Sequence, residues 1–243
     1  MPTLVETKFR LPMSGTAAVV ADLQSRLAVV VSHPWGPLGG NLHNPVVVAA
    51  VLFFQRLEIT TVRFDFCGGQ IGRGSRQVQQ VEEVCESLLA GKFSKDQALR
   101  PTHILLTGYS YGALITASAT ANIPACVGCV SIAPPFGVQH WLLMFQANYH
   151  LEQATKRKSL PRLLVIGDND NFSSESLFKN IVETRFPPET TTGAVVKGAD
   201  HFFAHREKDV MDVIGEWLLT AFPQCQGDLR RLKDIQFGLE TGA

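Results

Sequence analysis

The segment from His103 to Ser118 constrains the fold more than any other part of the chain. The apolar run Ile104 to Leu106 predicts a buried strand, and the small residues from Tyr111 to Ala121 predict a closely packed helix. Between them stands Gly108-Tyr109-Ser110-Tyr111-Gly112, a G-x-S-x-G pattern in the strand–turn–helix setting of a nucleophile elbow. So sharp a turn leaves no room for a Cβ two residues to either side of the serine, and glycine supplies the clearance. The turn lifts the Ser110 hydroxyl off the sheet. It also sets the Tyr111 N–H in the first turn of a helix, where an unpaired donor and the helix dipole suit a developing negative charge. The pattern alone decides little: at ordinary Gly and Ser frequencies, roughly one chain in ten of this length carries it by chance. An ordinary turn serine would look the same, so the rest of the chain has to decide.

The surrounding elements alternate. Thr7 to Pro12 reads as an edge strand, residues 13–26 as a hairpin region, and Leu27 to Ser32 as a strand buried on both faces. Pro45 to Leu57 is apolar nearly all round and predicts a helix against a sheet. A strand from Thr60 to Phe66, a Gly-rich loop from Cys67 to Ser75 and an amphipathic helix from Arg76 to Leu89, stopped by Gly91, follow. Beyond the elbow come a strand from Val127 to Ala133, one helix from Gln139 to Lys156, and a strand from Arg162 to Gly167. A helix from Ser174 to Arg185, a short strand from Gly193 to Lys197 and a helix from Glu207 to Ala221 complete the series. The alternation predicts an α/β fold, a mostly parallel twisted sheet with helices on both faces. With 243 residues and 45% apolar content there is enough for one core. Residues 1–222 are expected to form a single domain, with 223–243 as a polar, peripheral tail.

In open α/β sheets functional residues gather beyond the carboxyl ends of strands. Three such ends carry suitable chemistry: Ser110, then Asp168 and Asp170 in Gly167-Asp-Asn-Asp-Asn-Phe172, then His201. Serine needs a neighbouring base to become a nucleophile. Imidazole titrates near neutrality and can take the proton and return it to a leaving group. An aspartate holds the imidazole in the right tautomer. Blander readings apply elsewhere. Cys126 and Cys129 fall in a strand and read as core thiols, and His201 with His205 lacks a third partner for a metal. His33 reads as a brace for its loop. Gly69 to Gly74 reads as a shaped surface loop rather than a phosphate cradle, and Trp141 to Phe145 as core that could also wall an acyl pocket.

The order Ser, Asp, His along the chain resembles the α/β-hydrolase superfamily, and the resemblance covers nearly everything up to about residue 222. More narrowly, the chain resembles small, mostly uncharacterised hydrolases with an H-P-x-P-x-x-G-G-x-x-x-N-x-V-V segment. Here it reads His33-Pro-Trp-Gly-Pro-Leu-Gly-Gly-Asn-Leu-His-Asn-Pro-Val-Val47, with the second proline shifted by one. The ending G-A-[ND]-H-F-F is matched by Gly198 to Phe203. The chain departs from those relatives in the loop from Phe64 to Gly74, which is longer and carries Asp65 and Cys67. The resemblance implies the α/β-hydrolase fold and a Ser110–His201–Asp170 triad. The superfamily's G-x-x-D spacing, counted from Gly167, selects Asp170, and Asp168 becomes a turn residue. The oxyanion hole is expected to combine the Tyr111 N–H with that of Trp35, because Pro34 has none.

Many relatives insert a lid after the strand that follows the elbow helix. Only residues 136–160 are available here, so no cap domain is expected. An open site suits short-chain carboxylic esters or thioesters cleaved through an acyl-enzyme. The rival readings are a protein S-acyl thioesterase and a hydrolase-fold module that binds a ligand with little turnover. The chemistry calls for no metal and no cofactor. A formal net charge of zero gives no case for nucleic acid. No transmembrane segment is expected, since the longest apolar run, Val46 to Phe54, is too short to span a bilayer. No signal peptide is visible and the five cysteines form an odd set, which point to the cytoplasm. A homo-oligomer is left open.

Overall fold

The computed structural model describes residues 6–68, 71–225 and 227–234. Met1 to Val5, Gly69 and Gln70 of the Gly-rich loop, and residues 226 and 235–243 of the tail therefore lie outside the described residues. One eight-stranded sheet organises the chain. Its strands are β1 (Thr7–Arg10), β2 (Ala17–Ala21), β3 (Leu27–Ser32), β4 (Thr60–Phe64), β5 (His103–Tyr109), β6 (Cys126–Ile132), β7 (Arg162–Gly167) and β8 (Thr191–Val196). They lie in the order β1-β2-β4-β3-β5-β6-β7-β8, antiparallel on either side of β2 and parallel from β4 to β8.

Both faces of β3 are buried, and its alternation assigns each side chain to one of two cores. Ala28 and Val30 meet helices α2 (Ser75–Leu89) and α3 (Tyr111–Ala119). Leu27, Val29 and Val31 meet helices α1 (Pro45–Arg56) and α7 (Glu207–Ala221). This is the helix–sheet–helix layering expected of the alternating pattern, and it brings the ends of β5, β7 and β8 to one side.

Four elements differ from expectation. The hairpin region contains a full strand, β2, which joins the sheet antiparallel to β4. Strand β4 stops at Phe64 because the Phe66 N–H leaves the ladder and donates to His33 Nε2 at 2.9 Å. Strand β8 begins two residues before Gly193, the expected start. The single helix predicted over 139–156 is two: α4 (Gln139–Leu142) and α5 (Ala147–Thr155), separated by Met144 and Phe145 with φ of 43° and 64°. The break lets Leu143 sink into the core while Met144 and Phe145 stay exposed. The remaining helix, α6 (Glu175–Arg185), starts at Ser174, whose side chain caps Leu177 N.

After α5 the chain is held by a buried guanidinium. Arg162 donates to the carbonyls of Ala154, Arg157 and Leu160 at 2.9, 2.6 and 2.6 Å, closing the helix end with three charge-assisted bonds. In the tail, Cys225 and Leu232 are fully buried against the α1/α7 side of the sheet.

Two buried histidines tie loops to the core. His33 holds the loop after β3. His150 on α5 lies 2.9 Å from Ser118 Oγ and 2.6 Å from the Arg73 carbonyl. Burial lowers the pKa of both from 6.5, each partly offset by the backbone carbonyl it meets. The unfolded chain therefore binds more protons than the native one as pH falls below about 6.5, and stability falls with it. We expect a lower Tm at pH 5.5 than at pH 7.5, with a shallower slope in His150→Gln. Equal slopes in the two proteins would refute the assignment to His150.

Candidate active site

Ser110 sits between β5 and α3 with φ 54° and ψ −120°, a conformation that side-chain-bearing residues rarely adopt and that costs about 1–3 kcal/mol. Its own N–H is fixed to the Ile132 carbonyl at 2.8 Å. A Cβ at Gly108 would collide with the Gly112 carbonyl, and one at Gly112 with the His33 carbonyl, so the elbow closes only with glycine at both positions.

The three strand ends meet. His201 Nε2 lies 2.9 Å from Ser110 Oγ, and His201 Nδ1 lies 2.7 Å from Asp170 Oδ2. All three residues are buried. An ionised carboxylate only accepts, so Nδ1 carries the imidazole proton and Nε2 is left to accept from the Ser110 hydroxyl. The other oxygen of Asp170 accepts the N–H groups of Phe172 and Ser173 at 2.7 and 3.0 Å, which fixes the carboxylate in its turn. The Phe172 ring lies 4.4 Å from the imidazole, centroid to centroid, and covers it on one side.

Asp168 stands apart from this path. Its Oδ1 accepts the Gly198 N–H at 2.7 Å, and its own N–H donates to the Val196 carbonyl. With Asn169 N–H donating to the Ala199 carbonyl at 3.0 Å, these bonds join the loop after β7 to the loop after β8. A third anchor was not visible in the sequence. Tyr109 donates its hydroxyl to the His201 carbonyl at 3.0 Å. It occupies a free position of the G-x-S-x-G pattern, so nothing in that pattern signals it.

The loop after β3 forms the opposite wall. His33 Nε2 accepts from Phe66, so its proton is on Nδ1, which donates to the Pro34 carbonyl at 2.5 Å. The N–H groups of Leu38 and Gly40 both turn back to the Trp35 carbonyl. Trp35 lines the cleft beside Ser110, and Tyr111 opens α3 immediately behind it. The Tyr111 ring is buried, which pushes its hydroxyl pKa up, and it packs on Phe66.

The cleft holds about 510 Å³. Its walls are Trp35 and Leu38 on one side, Val138, Trp141 and Leu142 on another, and Phe202 beside the histidine. Leu38, Trp141 and Phe202 are 72%, 76% and 58% exposed, so the mouth is apolar and open. Trp141 is thus rim rather than core, and its ring lies 5.7 Å from that of Phe145. All five cysteines are free thiols, four of them buried. His205 is exposed, and among the described residues no group of three or more His, Cys, Asp and Glu could hold a metal. No helix among the described residues is long and apolar enough to cross a membrane.

No family model matches the chain. An uncharacterized protein of Rickettsia prowazekii is 24% identical over 214 residues, which span 86% of this chain and 84% of that one. Among solved structures, an α/β serine hydrolase without lid from Xanthomonas campestris superposes with a TM-score of 0.71 at 25% identity, covering 92% of this chain and 97% of that one. An α/β serine hydrolase homologue from Coxiella burnetii gives 0.69 at 23% identity, covering 89% and 98%. Est1E from Butyrivibrio proteoclasticus, with ferulic acid bound, gives 0.71 at 14% identity, covering 88% and 99%.

Proposed function

We propose that this chain, which has the α/β-hydrolase fold without a cap, is a serine hydrolase that cleaves short-chain carboxylic esters or thioesters through an acyl-enzyme. The observation that carries the reading is the unbroken path from Ser110 Oγ through His201 to Asp170, opening on an apolar cleft. In this reading Ser110 attacks the acyl carbon while His201 takes its proton at Nε2. Asp170 steadies the imidazolium that forms. The N–H groups of Tyr111 and Trp35 receive the oxyanion, and the α3 dipole favours it. His201 then protonates the departing alkoxide or thiolate. Water, activated by the same imidazole, releases the acid. No step calls for a metal or a cofactor. Residues 1–222 act as one catalytic domain with 223–243 as its tail, and free buried thiols suit the reducing cytoplasm.

Acyl length decides between two forms of this reading. The missing cap favours acetyl to butyryl groups. The volume of the cleft and its exposed aromatic rim favour a second form, a protein S-acyl thioesterase that lays a long chain along Leu38 and Trp141. We expect p-nitrophenyl acetate and butyrate to exceed the decanoate in kcat/KM. A steep rise toward decanoate, up to about 0.8 kcal/mol per methylene, would replace the first form by the second. A feruloyl ester belongs on the same panel, since a structural neighbour binds ferulic acid. Acylation without steady turnover on every ester would mark a binding module instead.

A further inference from the structure

Apart from its tryptophans, the cleft presents four polar side chains, those of Asn44, Tyr109, Ser110 and His201. Three of them are spent. Ser110 and His201 bond to each other, and Tyr109 donates to the His201 carbonyl. Asn44 takes no part in that path. The other lining residues are glycine, proline or apolar.

Asn44 stands where the loop after β3 runs into α1, and the fold holds it firmly. Its N–H donates to the Asn41 carbonyl at 3.1 Å, and its own carbonyl accepts from the Val48 N–H at 2.9 Å. Its side-chain oxygen accepts the Val46 N–H at 3.0 Å and so caps the helix. That bond fixes which end of the amide is oxygen and which is nitrogen. The nitrogen, Nδ2, meets no acceptor among the described residues. Two N–H donors on an immobilised, half-buried side chain are thus left over in the wall of an otherwise apolar cleft. A bound ester that strips water from this amide without replacing it leaves a donor unpaired, whereas one that brings an oxygen there regains the bond.

We infer that Asn44 is a specificity-determining residue, donating through Nδ2 to a second oxygen of the substrate: an ether, hydroxyl or carbonyl oxygen carried apart from the scissile group. The inference rests on the hydrolase reading above and narrows its substrates to oxygenated esters. Asn44 meets no reacting atom, so its bond is made in the ground state and the transition state alike and is read in KM.

Steady-state kinetics on two series of esters tests this. In ethyl pentanoates an oxygen replaces the third or the fourth carbon of the acyl chain. In pentyl acetates it replaces the same carbons of the alcohol. Each is compared with its all-carbon parent, and the series affected shows which end of the substrate Asn44 reads. In the wild type one oxygen position should be preferred over the parent, and Asn44→Ser should lower that preference about tenfold, through KM. Serine keeps a capping oxygen, so a Tm near wild type is expected. Asn44→Asp also caps but turns the donor into an acceptor, and should lower the preference at least as far. A ratio of oxygenated ester to parent that is the same in the wild type and both variants, in both series, would overturn the inference. If the wild type turns over no ester, the hydrolase reading fails by itself, and calorimetric binding of the same skeletons as methyl ketones carries the test. A preference for an oxygenated ketone that Asn44→Ser loses would then support the role of Asn44, and one that is absent or retained would overturn it.

Discussion

Ser110→Ala should abolish labelling by a fluorophosphonate and lower ester kcat by about five to six orders of magnitude, leaving a remnant from the oxyanion donors and binding. The size of the effect follows from the division of labour. In the proposed mechanism His201 and Asp170 act only through the hydroxyl that Ser110 presents, so removing that hydroxyl would idle both. The fold should survive, because the side-chain oxygen bonds to His201 and the elbow is held by the Ser110 N–H and the flanking glycines. A thermal melt close to wild type, with activity gone, is the expected pair of readings. Full labelling of the Ala variant would remove Ser110 from the mechanism.

Asp170→Asn should lower kcat by two to four orders of magnitude with little change in stability. An asparagine can still accept the Phe172 and Ser173 N–H groups through its carbonyl. Its NH₂ would then face His201 Nδ1, donor against donor. The ring would relieve that clash by moving its proton to Nε2, where it can no longer accept from Ser110. Asp168→Asn separates position from chemistry. Its acceptor for Gly198 survives but loses its charge, so the cost should fall on stability, on the order of 1 kcal/mol, with kcat near wild type. Kinetics and melts on the two variants decide the matter: collapse of kcat in Asp168→Asn with a near-normal Asp170→Asn would exchange the two roles.

Much of this arrangement could be read from the sequence because it is local. The elbow is written in consecutive residues, and the strand ends before Asp168 and before His201 follow from short apolar runs that stop at Gly167 and Gly198. What stayed hidden depends on partners far along the chain. Strand β2 gains its place from pairing with β4, forty residues later. The break at Met144 follows from the buried site that receives Leu143, not from any breaker residue nearby. Arg162 looked like the first residue of a strand, and its guanidinium is spent on closing α5. Tyr109 reaches His201 across ninety-two positions. Periodicity reports which face of an element is apolar; it carries no information about which distant carbonyl a polar tip will find.

The stitching of the loops after β7 and β8 has a consequence for how such a protein can change. The bonds from Asp168 to Gly198 and from Asn169 to Ala199, with the anchor from Tyr109, involve no residue of the wall between Pro135 and Gln146. The wall is pinned to the loop after β7 at its start, where the Gly137 N–H donates to the Phe172 carbonyl at 2.9 Å and the Phe136 N–H to Ser173 Oγ at 2.7 Å, whereas the N–H groups of Trp141 to Gln146 donate within residues 138–146. Lineages can rewrite residues 138–146, or lengthen them by insertion, without breaking the bonds that hold Asp170 and His201, provided Phe136 and Gly137 keep theirs. Substrate range is therefore free to drift while the chemistry stays put, and a library confined to Val138, Trp141 and Leu142 explores new specificities at low risk to turnover.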